Sequence, residues 1–349
     1  MAMTRRPPAF INKSAYFGFR RSAAIWACRG YRRFIAILIA VALPLGAASA
    51  ADWPMRPVRA VVPLTAGSAT DIVARVVLNQ LSVQLGQPII VENRPGAGNT
   101  LGMEDVAKSN ADGYTILVNS SSHTISAATY ENLRFDPLLD LKPVIPLGNM
   151  PIVIVVSPAK GYKSLADLVA AAKAKPDTIS YGSAGAGNFS HMASEVFSRA
   201  AGFQAYHIPS KGAPEAALEV AMQRVDFFLS PLVVADPLIK DGKLQVLAVT
   251  GSQRATTLPD VPTTVEAGYP NSSYNFWVGI FVPSHTPAAV TDTLYRETAK
   301  ALQVVDVQEK LKNIGVDPMP MSAADFAKLV ADEIATNTKI AKDIGLKIN

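Results

Sequence analysis

Two stretches of the sequence bring small residues and hydrogen-bond donors to points where a strand-like run meets a helix-like one. The first, VPLTAGSATDIVAR (62–75), leaves an apolar run at Leu64 and passes Thr65, Ala66, Gly67, Ser68, Ala69 and Thr70 before Asp71. The second, YGSAGAGNFSH (181–191), passes Ser183, Ala184, Gly185, Ala186, Gly187 and Asn188 and enters a helical pattern that carries His191. The first amides of a helix have no intrahelical partner and carry partial positive charge. Small residues let an anion approach those amides, and hydroxyls add donors, so each stretch has the chemistry of an anion cradle. Two cradles in different halves of the chain could face each other across a cleft and hold an oxyanion without lysine or arginine. The first stretch alone equally suits an ordinary capped turn, with Ser68 or Thr70 as N-cap. Asp71 then caps the helix start, bonds the loop or meets the polar tail of a ligand. His191 suits a structural hydrogen bond in the first helical turn, with a base as its alternative, and Lys211 a solvated surface charge, with the border of the cleft as its alternative. Ser230, which closes the run VDFFLS, is a third candidate contact. Phe276, Trp277 and Phe281 read as strand core.

Other chemistries fail on spacing. GSAGAGNF lacks the Lys-Ser/Thr that follows the glycines of a P-loop, and GAGNTLG (96–102) is one residue too long for a dinucleotide fingerprint. No G-x-S-x-G nucleophile elbow occurs. The four histidines, His123, His191, His207 and His285, are scattered and none pairs at metal-ligand spacing. No catalytic residue, metal or cofactor is expected.

The elements that must position these loops alternate. Strand-like runs cover 58–64, 88–93, 114–120, 152–157, 179–183, 225–230, 244–250 and 276–283. Helical patterns cover 69–85, 164–175, 190–202, 213–223, 286–303 and 324–345. In the first, Ile72, Val76, Leu81 and Leu85 recur at helical spacing and Gly86 stops the run; Ser164 and Ser190 read as caps and Pro176 as a stop. Alternation of this kind means an α/β protein with mainly parallel sheets, in which ligands sit beyond the strands' carboxyl ends. The wholly apolar runs 152–157 and 276–283 divide the chain. Residues 53–151 plus 277–349 are expected to form one domain and 152–276 the other.

The N-terminus needs separate treatment. Residues 1–33 hold eight basic residues and no acid; FIAILIAVALPLG and then Ala48-Ser49-Ala50 follow. That order reads as a secretory signal peptide cut after Ala50, with Arg32-Arg33 leaving the export route open. The 33 basic and 28 acidic residues of the whole chain become 25 and 28 after cleavage, a net charge near −3. The charge therefore gives no reason to propose nucleic-acid binding. The one cysteine, Cys28, falls in the removed part, so the mature chain has no thiol nucleophile, disulfide or thiolate metal site. A periplasmic protein held by its core alone fits these facts.

The sequence resembles the Bug-type periplasmic solute-binding proteins of tripartite tricarboxylate transporters, over essentially all of 53–349. The resemblance rests on VPLTAGSATDIVAR (62–75), VENRPGAGNTLG (91–102), ADGYTIL (111–117), FDPLLDLKPV (135–144), YGSAGAGNFSHMA (181–193), KGAPEAALEVAMQRVDF (211–227), DGKLQVLAVTGSQRATTLPDVPTTVEAGYP (241–270) and the terminal DIGLKI. It implies a type II periplasmic binding protein fold, two α/β domains with a ligand cleft between them. By position it implies a carboxylate grip from Leu64, Thr65, Ala66, Gly67, Ser68 and Ala69 with Asp71 behind them. On the other side stand Ser183, Ala184, Gly185, Ala186, Gly187 and Asn188, with His191 behind them. Asn119-Ser120 borders the cleft. The expected protein is a monomeric receptor, not an enzyme. It would deliver a small organic carboxylate to membrane subunits of the transporter or to a sensor protein. An exported small-molecule hydrolase is the alternative. Three positions depart from the family pattern. Ala66-Gly67-Ser68 replaces Pro-Gly-Gly, Ser230-Pro231 replaces an acid followed by Asn, and Ser210 stands where a tyrosine is common.

Overall fold

The computed structural model describes residues 53–176 and 178–348. The signal-peptide reading of 1–50 therefore falls outside the described residues. Ten strands and ten helices follow in the described chain. The first half holds β1 (Val58–Val62), α1 (Ala69–Leu85), β2 (Ile89–Asn93), α2 (Thr100–Ala107), β3 (Thr115–Ser120), α3 (Ser122–Thr129), β4 (Leu141–Met150), β5 (Ile152–Val156) and α4 (Leu165–Ala174). Then come β6 (Ser180–Ser183), α5 (Phe189–Ala201), β7 (Tyr206–Pro209), α6 (Ala213–Ala221), β8 (Phe227–Pro231), α7 (Leu232–Lys240), β9 (Gln245–Val249), β10 (Phe276–Pro283), α8 (Ala288–Ala301), α9 (Val305–Asn313) and α10 (Ala323–Ile344).

The strands form two five-stranded sheets, ordered β2-β1-β3-β10-β4 and β7-β6-β8-β5-β9. The chain passes from the first sheet to the second between Met150 and Ile152 and returns between Val249 and Phe276. The expectation of mainly parallel sheets needs correction. β1 runs parallel to β2 and β3, and β6 to β7 and β8, but β10 is antiparallel to β3 and β4, and β5 to β8 and β9. Parallel neighbours need a crossover connection. β5 and β10 instead enter their sheets directly from the other one, and so are free to run against their neighbours. Both are buried along their whole length, as their unbroken apolar runs require.

The helix ends follow the sequence with one exception. Ser68 caps α1, accepting from Asp71 N, and Gly86 ends it in the left-handed region. Ser164 and Asp167 form a capping box on α4. On α5 the cap is Asn188, which accepts from His191 N, and Ser190 lies inside the first turn. The buried face of α1 is Val73, Val77, Leu78 and Leu81; Ile72, Val76 and Leu85 are only half buried.

Three apolar clusters hold the elements: the first continues from one sheet into the other, the second packs Val153 and Val155 of β5 against α6 and α7, and the third packs against β10. That third cluster joins Trp277 and Phe281 of β10 to Phe326 and Val330 of α10. Trp277 Nε1 donates to both carboxylate oxygens of Glu333 at 3.0 Å. Burial pushes the Glu333 carboxyl above its ordinary value, against the hydrogen bonds from Trp277 and Thr124.

Candidate functional site

The first loop turns on Gly67, whose φ of +77° is a left-handed conformation that costs glycine little. That turn aims Gly67 N at Asp71 Oδ2, 2.9 Å away. Asp71 Oδ1 accepts from Arg75 Nε and Asn93 Nδ2, each at 2.9 Å. Burial pushes the Asp71 carboxyl up, yet the bonds from Arg75, Gly67 and Asn93 together hold it below the usual carboxylate range. Asp71 is therefore a loop brace with both oxygens engaged. Ser68 Oγ takes the Asp71 amide at 3.3 Å. The amides of Ala69 and Thr70 remain as the open end of α1. Thr70 is 1% exposed, and its hydroxyl has no partner among the described residues.

The second loop is braced in the same way. Gly187 N donates to His191 Nδ1 at 3.1 Å, the structural hydrogen bond in the first turn. Ser190 Oγ accepts from Ala184 N at 2.9 Å and donates to Asn188 Oδ1 at 2.8 Å. The histidines are not all scattered, however. His191 and His207 stack with ring centroids 3.7 Å apart, although sixteen positions separate them, because α5 folds back over neighbouring β6 and β7. Burial lowers the His191 pKa to about 3, with a smaller contribution from His207, and lowers that of His207 to about 4. His207 Nε2 lies 2.6 Å from Ser183 Oγ. A serine beside an imidazole is the contact a hydrolase would use. Here the hydroxyl is fully buried, and Gly185 N and Gly185 O both bond it at 3.1 Å. The pair thus fixes the loop.

The two loops meet at one small cavity of about 30 Å³. Its walls are Leu64, Ser68, Ala69, Thr70, Ser122, Ala184, Asn188, Phe189, Ser190, Ala213, Phe228, Pro231 and Phe276. No lysine, arginine, histidine, aspartate or glutamate is among them. These residues bring five helix starts together: Ser68 caps α1, Asn188 caps α5, Pro231 precedes α7, and Ser122 and Ala213 open α3 and α6. Each start contributes partial positive charge, so the cavity is electropositive without a cation. Three larger hollows, of about 760, 680 and 590 Å³, lie away from both loops.

Of the residues singled out from sequence, Leu64, Ser68, Ala69, Ala184 and Asn188 line this cavity. Gly67, Asp71, Ser183, Gly187 and His191 stand behind it as braces. Ser120 Oγ accepts the Ser122 amide at 3.3 Å, so it too acts one layer back. The Ser230 hydroxyl donates to Pro231 O at 3.0 Å and is buried. Ala66 is exposed. Gly185 and Ala186 are half buried on the loop, and the Thr65 hydroxyl is buried without a partner among the described residues. Sequence reasoning named Thr70 and Ser190 as caps and Pro231 as a departure from the family pattern, not as walls, and passed over Ser122, Phe189, Ala213 and Phe228. It placed Phe276 in the core alone. The available clue was position: each falls within two residues of a strand-to-helix junction or, for Phe228 and Phe276, at or next to a strand start.

The loops also touch the opposite lobe directly. Tyr130 OH donates to Ala186 O at 3.1 Å, and the hydroxyls of Ser126 and Thr129 reach Gly187 O at 3.4 and 3.5 Å. Phe189 N donates to Ser122 Oγ at 3.2 Å. On the other side a Cβ on Gly212 would fall 2.1 Å from Thr65 Oγ1 and 3.0 Å from Thr65 Cβ. Gly212→Ala should therefore hold the lobes apart. We expect about tenfold weaker solute binding by calorimetry and a nearly unchanged melting temperature without solute. Adding Thr65→Gly should recover most of the loss, and equal affinity in the single variant would remove Gly212 from the closing contact.

Comparison with known proteins gives the family and the fold. The family described as "Tripartite tricarboxylate transporter family receptor" matches residues 73–346. Protein BugT of Bordetella pertussis is 33% identical over 318 residues, which are 90% of this chain and 97% of that one. Two solved structures superpose closely. A protein of R. palustris with adipate gives a TM-score of 0.81 at 32% identity, covering 84% of this chain and 99% of that one. MatC from Rhodopseudomonas palustris with bound malate gives 0.78 at 30% identity, covering 82% and 99%.

Proposed function

The chain belongs to the tripartite tricarboxylate transporter receptor family, and from that premise we propose that it captures a small organic carboxylate between its two lobes and hands it to membrane transporter subunits or a sensor protein. One observation carries the ligand class. Five helix starts converge on a cavity whose lining includes no charged side chain. An anion gains from every one of those dipoles, whereas a cation is opposed by all of them. Relatives solved with adipate and malate support the same class.

The first lobe comprises 53–151 and 277–349, and the second 152–276, with the two chain crossings as the hinge. Leu64, Ser68, Ala69, Ala184 and Asn188 contact the solute. Thr65, Ala66, Gly67, Asp71, Ser120, Ser183, Gly185, Ala186, Gly187, His191 and Ser230 shape the two loops around it. Solute binding favours the closed state because only closure lets both lobes contact one ligand. The protein acts in the periplasm after cleavage behind Ala50, as a monomer and without catalysis.

A thermal-shift screen of the purified protein, stripped of retained ligand, tests the proposal. The panel holds mono-, di- and tricarboxylates, aromatic acids, acidic amino acids and the neutral amides of each. A ligand at about 100 times its dissociation constant should add about 2.7 kcal/mol of stability. The expected result is stabilisation by an acid and none by its amide. Stabilisation by amides alone would overturn the anion grip, and consumption of the ligand during the assay would return the hydrolase.

A further inference from the structure

The segment that follows α10 lines no part of the cavity, yet the second lobe rests on it. Gly345 ends α10 in the left-handed region, and Leu346 N turns back to Ala341 O at 2.8 Å. The chain then runs beside the end of α3. Ile348 N donates to Thr129 O at 2.9 Å, and Glu131 N donates to Ile348 O at 3.1 Å, a short parallel bridge opposite Tyr130. Those two bonds flank Tyr130 and fix its backbone, and Lys347 pairs with Glu131 beside them.

Tyr130 and Ile348 together receive the second loop. Tyr130 OH donates to Ala186 O at 3.1 Å. A Cβ on Gly187 would fall 2.6 Å from Tyr130 Cε2 and 3.2 Å from Ile348 Cγ1, so the loop lies flat on both side chains. A Cβ on Gly98 would fall 2.6 Å from both Ala186 O and the Tyr130 hydroxyl, so the ring has no slack on that side either. The second lobe meets the segment once more at Asp343, whose carbonyl accepts from Arg199 Nη1 at 2.7 Å. Gly187 precedes α5 and Arg199 lies in its last turn, about 18 Å further along the helix. The helix whose cap, Asn188, lines the cavity is thus held near both ends, which fixes its direction as well as its position.

Resting on the carboxylate reading above, we propose that Ile348 is a positioning residue of the closed state: it sets Tyr130 where ring and hydroxyl receive the second loop. These contacts cross between the lobes, so they form on closure and break on opening. They should therefore slow solute release rather than speed capture. A single hydrogen bond of this kind is worth about two- to tenfold in the closed population.

Six acids serve as probes on the protein stripped of retained ligand: malate, adipate, succinate, citrate, benzoate and glutamate. Calorimetry selects the acid bound most tightly. Its radiolabelled form, chased with unlabelled acid, gives the dissociation rate. Tyr130→Phe keeps the ring on Gly187 and removes the hydroxyl; Ile348→Pro removes the donor to Thr129 O. Each should release the acid about threefold faster or more, with the association rate and the melting temperature of the free protein nearly unchanged. Because Ile348 acts through Tyr130, the double variant should stay within about twofold of the weaker single one. Unchanged release in both single variants would overturn the proposal and leave the carboxylate receptor standing, as would a lowered melting temperature with unchanged release. Effects that multiply in the double variant would overturn the action of Ile348 through Tyr130. Binding of none of the six acids would overturn the receptor reading and this one with it.

Discussion

Gly67→Val is expected to abolish solute binding while leaving the two sheets folded. Gly67 has a φ of +77°. A β-branched residue there is a conformational outlier, costing about 1–3 kcal/mol. The loop can relieve that strain by turning the peptide. Doing so gives up the bond from Gly67 N to Asp71 Oδ2 and with it the brace that aligns Ser68, Ala69 and Thr70. Pro214 Cγ would also lie 3.7 Å from the added Cβ, so a branched side chain presses on the facing lobe. Loss of brace and closure together should weaken binding about hundredfold or more, equivalent to about 2.7 kcal/mol. The core lies elsewhere, so circular dichroism should be unchanged and the melting temperature should fall by only a few degrees. Calorimetric titration of a carboxylate found in the screen is the measurement. Unchanged affinity would mean that the open end of α1 does not hold the anion.

The sequence made the loops legible because their chemistry is local. A small residue, a hydroxyl and a helix start lie within a few positions, and Ser68 and Asp71 act on the peptides beside them. The cavity wall was less legible because it is assembled from five junctions far apart in the chain. Phe276 reads as core and is core, and Phe228 is core inside the VDFFLS run; their lining role depends on which strand faces the other lobe. The same limit hid the stacked histidines, since His191 and His207 meet only through the parallel pairing of β6 and β7. β4 was missed for a different reason. Pro143, Pro146 and Gly148 interrupt a strand pattern, but β4 is an edge strand whose strand partner among the described residues is β10, with one further bridge from Asn149 to Asp317, and its ladder carries two register shifts.

Between pH 7 and pH 5 the protein should lose about 4 kcal/mol of stability through His123 and His191 alone. Burial lowers His123 to about 4 and His191 to about 3, both from an ordinary 6.5. A depressed imidazole stays neutral in the fold while the unfolded chain takes up its proton. Stability is therefore intact above the unfolded value and falls as pH drops from about 6.5 toward 4, by about 1.4 kcal/mol per pH unit for each ring. His207 adds less because it is half exposed. Glu333 works in the opposite sense: its raised value means the fold binds a proton before the unfolded chain does, which offsets part of the loss near its titration. Asp71 adds its loss mostly below this window, as the unfolded chain's carboxyl takes up a proton that the lowered folded carboxyl still refuses. Urea unfolding at half-unit pH steps should give a slope near two protons. His123→Phe should bring it near one, since that ring stacks on Phe281 with centroids 4.4 Å apart and a phenyl ring can take its place. Binding should hold over the same range, because His191 stays neutral in the fold and its Nδ1 keeps accepting from Gly187 N. A flat profile would mean that both rings carry their protons inside the fold, and the brace on the second loop would then need a different acceptor.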